Sequence, residues 1–249
     1  MVNNFYDKVA KKFGRYHTGA KYTTEYPNGE PEKDFKEKLL KLSGKDKIVL
    51  DVGCADGRFT LSIAPYFLKV IAIDMSKGML ESAKKLQDEK VVTNVSYEKQ
   101  DANRTTYSND VFDIVYSRRG PTPFSEFHRL LKANGYFVGI DIGEKDCQEI
   151  KKIFDRGQGY GEWNTLRLEK DKQKLKDNKF EITFAQDYFY NEYYASYEDL
   201  DLFLQGVPIF EDFNSEKDKK FLEEYVAKFK TKKGIKFPRH RIVIVAKKV

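Results

Sequence analysis

The stretch Lys47–Gly57, KIVLDVGCADG, decides how the rest of this 249-residue chain is read. Ile48, Val49 and Leu50 form the unbroken apolar run of a strand buried on both faces of a parallel sheet, and Asp51 closes it. Gly53, Ala55 and Gly57 then keep the following turn free of bulk, so that a ligand can approach the backbone. A helix starting near Arg58 aims its unpaired N–H groups at the same place. Strand, small-residue turn and helix together predict a nucleotide-type site. The turn has neither the Gly-Lys-Ser/Thr ending of a phosphate-binding loop nor the G-x-G-x-x-G spacing of the dinucleotide fingerprint.

Downstream, VIAIDM predicts a second strand ending on Asp74, 23 residues after Asp51. A nucleotide fold places there the carboxylate that accepts hydrogen bonds from both ribose hydroxyls. The other reading of Asp74, a helix N-cap, suits Ser76 better. A helix from Ser76 to about Glu89 leads into NVSYEKQD, a third strand running to Asp101-Ala102. VFDIVYS is the fourth, ending at Ser117 and continuing into RRGPTPF. One acid at a strand end says little. Three of them, Asp51, Asp74 and Asp101, at three successive strand ends point to a ligand at the carboxyl edge of an α/β sheet.

The spacing Asp51-x-Gly53-x-Ala55-x-Gly57 resembles motif I, D/E-x-G-x-G-x-G, of the class I S-adenosylmethionine-dependent methyltransferases, with Ala55 replacing the middle glycine. HRLLKANGYFVGI, residues 128–140, resembles the late LLKPGG-like motif of that family, with Ala133-Asn134 where Pro-Gly is usual. The resemblance spans nearly the whole chain. It implies a doubly wound, mostly parallel seven-stranded sheet with helices on both faces and the last strand antiparallel. It also implies S-adenosyl-L-methionine as cofactor and S-adenosyl-L-homocysteine as product. By the same resemblance Asp51, Gly53, Cys54, Ala55, Asp56 and Gly57 form the cofactor turn and Asp74 holds the ribose. Met75 packs on the adenine, Asp101 with Ala102 receives the adenine amino group, and Ser117 lies near the methyl-bearing end.

Residues 2–13 carry Val2, Phe5, Tyr6, Val9 and Phe13 at helical spacing, and an irregular loop follows. In the family such a segment folds over the cofactor, which makes Tyr16 and His17 candidates for the site rim; a surface tyrosine and a solvated histidine are the alternative. Arg118 and Arg119 are the other catalytic-side candidates, as guanidiniums able to hold a carboxylate or phosphate. Pairing with acids of residues 180–214 is their alternative. No residue declares itself a general base. Methyl transfer from a sulfonium asks mainly for positioning and desolvation, with a base needed only for a poor nucleophile.

The layout read from the pattern is a single domain over 1–249. It comprises an N-terminal helical cover (1–45), a Rossmann-like core (46–195), a helical insertion or lid (196–236) and a final strand (237–249). Two cysteines and three histidines predict neither a disulfide framework nor a metal site. The N-terminus lacks the apolar core of a signal peptide and no run is long enough for a bilayer, so a soluble, cytoplasmic protein is expected. The net charge of +6 is unevenly spread: residues 215–249 hold 12 Lys or Arg against 4 acids, whereas 180–214 hold 8 acids, 11 aromatics and no Lys or Arg. A basic tail can dock on nucleic acid, but a charge run is commonly a solvated face, and the acidic neighbour would repel a polyanion. An acidic, aromatic cover suits a small planar or cationic acceptor. No Asn/Asp-Pro-Pro-aromatic run and no Pro-Cys pair supports base methylation. The expected function is methyl transfer to a small-molecule acceptor. The alternatives are an RNA or protein methyltransferase docking through the basic C-terminal segment, and a non-catalytic S-adenosylmethionine-binding protein. Oligomeric state is not legible.

Overall fold

A computed structural model describes residues 2–16 and 18–249, with side chains from Phe5 onward; His17 lies outside the described residues. Five strands, β2 (Gly44–Val52), β3 (Phe67–Asp74), β4 (Val95–Lys99), β5 (Phe112–Arg118) and β6 (Leu131–Ile142), pair in parallel. Two long strands, β7 (Phe180–Tyr194) and β9 (Gly234–Lys248), complete the core, with β9 antiparallel to both β6 and β7. The sheet order is β1-β7-β9-β6-β5-β2-β3-β4, where β1 (Tyr22–Glu25) is a short edge strand on β7; β8 (Lys230–Thr231) folds back on β9. The expected seven strands are therefore present with two small additions. β1 escaped the sequence reading because four residues of YTTE sit in a Gly- and Pro-rich loop and show no buried face.

Both faces are covered. On one, α2 (Pro31–Lys41), α3 (Arg58–Ile63) and α4 (Lys77–Lys90) pack Phe35, Leu39, Leu61, Ile63, Leu80 and Ala83 against Val49, Val70, Ile114 and Val243. On the other, α5 (Phe124–Leu130) and α7 (Arg167–Asp177) bury Phe127, Leu130, Leu168 and Leu175 against Leu50, Ile71, Val115 and Ile244. A separate cluster at one end joins α6 (Gln148–Phe154), α8 (Tyr197–Leu204) and α9 (Lys219–Phe229) through Ile150, Phe154, Leu200, Phe210, Leu222 and Tyr225. The cover helix α1 (Val2–Phe13) lies on α4 through Val9, Ala10 and Met79.

Local chemistry accounts for the boundaries. Ser76 caps α4 by accepting from the Met79 N–H at 3.1 Å. Pro31 stands at the first position of α2, where its missing N–H costs nothing. Helix α5 stops at Leu130. Its last carbonyls are taken from outside: Asp110 N donates to Arg129 O (3.0 Å) and Val111 N to Leu130 O (2.9 Å). Strand β9 begins at Gly234, three residues before the expected 237, because Ile235 and Phe237 alternate into the core ahead of the basic residues.

Candidate active site

Strand β2 lies between β3 and β5; the chain leaves it toward β3 and reaches β5 only later, which makes its carboxyl end the switch point where open α/β sheets take ligands. The turn after β2 is tied to β3: Gly53 N and Cys54 N both donate to Ile73 O at 2.9 and 3.1 Å. Gly53 (φ +76°) meets the loop after β5, since a Cβ on it would lie 3.3 Å from Gly120 Cα, and one on Gly120 would lie 2.8 Å from Val52 O. Gly57 (φ +70°) also serves packing. A Cβ there would stand 2.3 Å from the Tyr97 hydroxyl and 2.9 Å from Ala83 Cβ, so its bareness seats α3 against α4 and β4.

Ala55 also adopts a left-handed conformation, φ +47°. That region costs an L-residue about 1 to 2 kcal/mol, which explains the glycine usual at this place. Ala55→Gly is therefore expected to raise stability by about 1 kcal/mol, after the extra chain entropy of glycine is subtracted. A thermal melt checks it; a lower melting temperature would show that the packing of the Ala55 methyl under α1 outweighs the backbone strain.

Asp51 is buried and accepts from Thr60 Oγ1 at 2.6 Å; burial pushes its carboxyl up to about 6. Asp74, at the end of β3, accepts from Ala55 N at 2.9 Å on one oxygen and from Ser76 N at 2.8 Å on the other. Burial raises its pKa, with these N–H donors working against the rise. Each oxygen keeps further lone-pair capacity, so the carboxylate is fixed from behind and free to accept in front. This donor-poor, acceptor-rich edge beside a bare turn fits the ribose of an adenosine-type cofactor. Met75 follows it, half-exposed. Asp101 lies two residues past the end of β4, exposed, with one oxygen accepting from Asn103 N and Nδ2, both at 2.9 Å. Ala102 is buried beneath, with Ile71 and Ile73. Ser117 is buried at the β5 end and donates to Pro121 O at 3.3 Å.

The N-terminal segment closes over this turn. Asp7 accepts from Ser76 Oγ (2.5 Å) and Gly78 N (3.1 Å), anchoring α1 to the start of α4. Asp56, read from sequence as a turn residue, accepts from Tyr16 N at 2.8 Å and from Arg58 Nε at 2.8 Å, while Arg58 Nη2 donates to Tyr16 O at 2.7 Å. Tyr16 packs, as does Ala55, on the small cluster of Val9, Ala10 and Met79, edge-on to Tyr6 at 5.6 Å. Arg118 and Arg119 do not pair with the 180–214 acids: both bind Glu32 of α2, Arg118 at 2.9 Å. Burial alone would raise the Glu32 carboxyl, but the two guanidiniums outweigh it and hold it at about 2. Gly120, Asp7 and Glu32 had no readable signal, since each acts through a partner distant in sequence.

With this geometry in view, the comparisons fall into place. A family model described as a methyltransferase domain matches residues 43–176, more than half of the chain, and the chain belongs to that family of enzymes. The uncharacterized methyltransferase YcgJ of Bacillus subtilis (strain 168) is 34% identical over 100 residues, 37% of this chain and 40% of the relative. Phosphoethanolamine N-methyltransferase 1 of Zea mays is 29% identical over 168 residues, 64% of this chain and 32% of the relative. The match thus spans less than half the length of either curated relative. The crystal structure of the YcgJ protein superposes with a TM-score of 0.63 at 19% identity, covering 87% of this chain and 98% of that one, a likeness of fold. No helix among the described residues is long and apolar enough to cross a membrane.

Proposed function

We propose that the turn after β2, with Asp74 and Met75, holds S-adenosyl-L-methionine, and that the enzyme passes its methyl group to a small-molecule acceptor. The observation that carries the cofactor assignment is the Asp74 carboxylate, held by the Ala55 and Ser76 N–H groups at the end of β3 beside the glycine turn. In this reading Asp74 takes the ribose hydroxyls, Met75 and Ala102 flank the adenine, and Asp101 receives its amino group. Asp51 faces the methionine end, and Cys54 and Ser117 wall it. The cofactor supplies, when bound, an electrophilic methyl on sulfonium sulfur.

The chain's own work is then positioning and drying. The Asp56–Arg58 latch on the Tyr16 backbone and the Asp7 anchor hold α1 over the turn, excluding water and leaving Tyr16 and Arg119 on the acceptor side. A cover packed this closely supports a small acceptor, as does the maize relative, named for phosphoethanolamine. Cover, core and insertion act together as one unit.

Asp74→Ala is expected to weaken S-adenosylmethionine binding by about 1 to 3 kcal/mol, the scale of lost hydrogen bonds to a charged group. Isothermal titration measures it; unchanged affinity would remove Asp74 from the cofactor site. Incubation with methyl-labelled S-adenosylmethionine and a fractionated extract tests the acceptor. Label in low-mass products is expected. Label in RNA or protein would move the assignment to a macromolecular substrate, and binding without turnover would leave a cofactor-binding protein.

A further inference from the structure

At the carboxyl edge of the sheet, next to the proposed methyl-donor turn, the fold buries a layer of charge that the cofactor does not use. Arg239 and Arg241 sit two apart on β9 and so share one face with Val243 and Val245. Asp146 accepts from Arg239 Nε at 3.0 Å and from His240 N at 2.9 Å and forms an ion pair with Arg241 Nη1 at 2.6 Å, while Arg241 Nη1 donates to His240 O at 2.8 Å and Arg239 Nη1 to Glu192 at 2.6 Å. At the end of β5, Arg118 and Arg119 divide Glu32 between them. Among the described residues, these four guanidiniums form ion pairs with three carboxylates, Asp146, Glu192 and Glu32. Asp51, further along the same face, accepts from Thr60.

Arg241 keeps an open donor. Its side chain is 4% exposed, it shares Asp146 with Arg239 and donates from Nη1 to the His240 carbonyl, and its Nε has no hydrogen-bond partner among the described residues. A buried cation with an open donor is costly unless an anion completes it. Arg119 stands on the opposite flank of β6: Arg119 N donates to Ile140 O at 2.7 Å, while Ile142 pairs with Arg241. Two strand spacings, about 10 Å, separate their backbones, a span that two arginine side chains can close on one anion. Tyr16, which packs on the same small cluster as Ala55 of the turn after β2, lies within the field of Arg119, Arg241 and Arg239.

We infer that this layer is an acceptor subsite: the methyl acceptor carries an anionic group, a carboxylate or a phosphate, gripped by Arg241 and Arg119 beside the Tyr16 phenol. The inference rests on the methyltransferase reading above. It differs from the planar or cationic acceptor expected from the acidic 180–214 segment, several of whose acids are engaged elsewhere. Glu192 binds Arg239, Asp187 binds His240, Asp199 binds the Lys21 N–H and Asp212 binds Arg156. Burial keeps the Tyr16 and Tyr190 phenols protonated, so they serve as neutral donors rather than competing charges.

The test uses the full chain, methyl-labelled S-adenosylmethionine and a deproteinised low-mass extract. The labelled product is treated with alkaline phosphatase, which removes a phosphate, and with carbodiimide and an amine, which tag a carboxylate. Conversion by either treatment is expected, and which one acts separates the two sources. A labelled product that neither converts overturns the anionic subsite and leaves the methyltransferase reading standing; no labelled product at all removes the small-molecule acceptor on which the inference rests. Arg241→Gln is expected to raise KM for the labelled fraction about tenfold or more with little change in S-adenosylmethionine affinity, and Arg241→Lys to recover part of it. An unchanged KM overturns the inference. If Arg241→Gln does not fold, the chemistry of the wild-type product decides alone.

Discussion

Gly57→Val is expected to destabilise the fold by about 3 to 5 kcal/mol, the sum of a left-handed backbone imposed on a β-branched residue and an overpacked contact. The contact is specific: the new Cβ would press on Ala83 Cβ at 2.9 Å and on the Tyr97 hydroxyl at 2.3 Å, and the alanine has nowhere to move because it is fully buried in α4. Cofactor binding is expected to fall with it, through displacement of α3 rather than through a blocked ligand. Urea unfolding checks the stability. A midpoint equal to that of the unaltered chain would mean that α3 can shift freely, and the packing account of Gly57 would be wrong. Gly57→Ala, with the same φ but less bulk, should lose less.

Asp51→Asn is expected to do the opposite to stability and still impair the site. With a folded pKa of about 6 against about 3.9 unfolded, Asp51 is bound to its proton more tightly in the native state. Its favourable contribution is full below pH of about 4 and is lost as pH rises through about 6. Above that, the ionised carboxylate costs about 3 kcal/mol by linkage. Asparagine keeps an acceptor for Thr60 and removes the charge, so the variant should melt several degrees higher at pH 7.5 and lose that advantage below pH of about 4. In the proposed site the same charge faces the ammonium of the cofactor's methionine end, so affinity for S-adenosylmethionine should drop about tenfold or more. A gain in stability with a loss of affinity marks a residue kept for binding. Equal affinity would reduce Asp51 to a turn-ordering role, and an equal melting temperature would contradict the cost of burying its charge.

The fold was legible because its signals are local. Ile48–Leu50, VIAIDM and VFDIVYS are apolar runs that only a sheet buried on both faces accommodates, and Ser76 announces its helix by its side chain. The proposed cofactor half of the site rests on signals of the same local kind, since Asp51, Gly53 and Asp74 stand at or beside strand ends and a strand end can be counted. What stayed hidden depends on pairs distant along the chain. Asp56 looks like another turn residue until its partner, the Tyr16 backbone 40 positions away, is placed. Glu32 gave no sign that it would meet Arg118 and Arg119 across 86 and 87 positions. The Arg239 and Arg241 pair left a faint trace: in PRHRIVIV the two arginines continue the alternation of Val243 and Val245, so they share a buried face that only ion pairs make tolerable.

The central claim is that the bare turn after β2 and the anchored Asp74 form an S-adenosylmethionine site beneath the α1 cover. Equilibrium titration of S-adenosylmethionine into the unaltered chain and into Asp74→Ala, side by side, tests it most directly. The account predicts saturable binding at one site, displaced by S-adenosylhomocysteine, and about tenfold or more weaker in the variant. No saturable binding to the unaltered chain, or equal affinity in both, would contradict it.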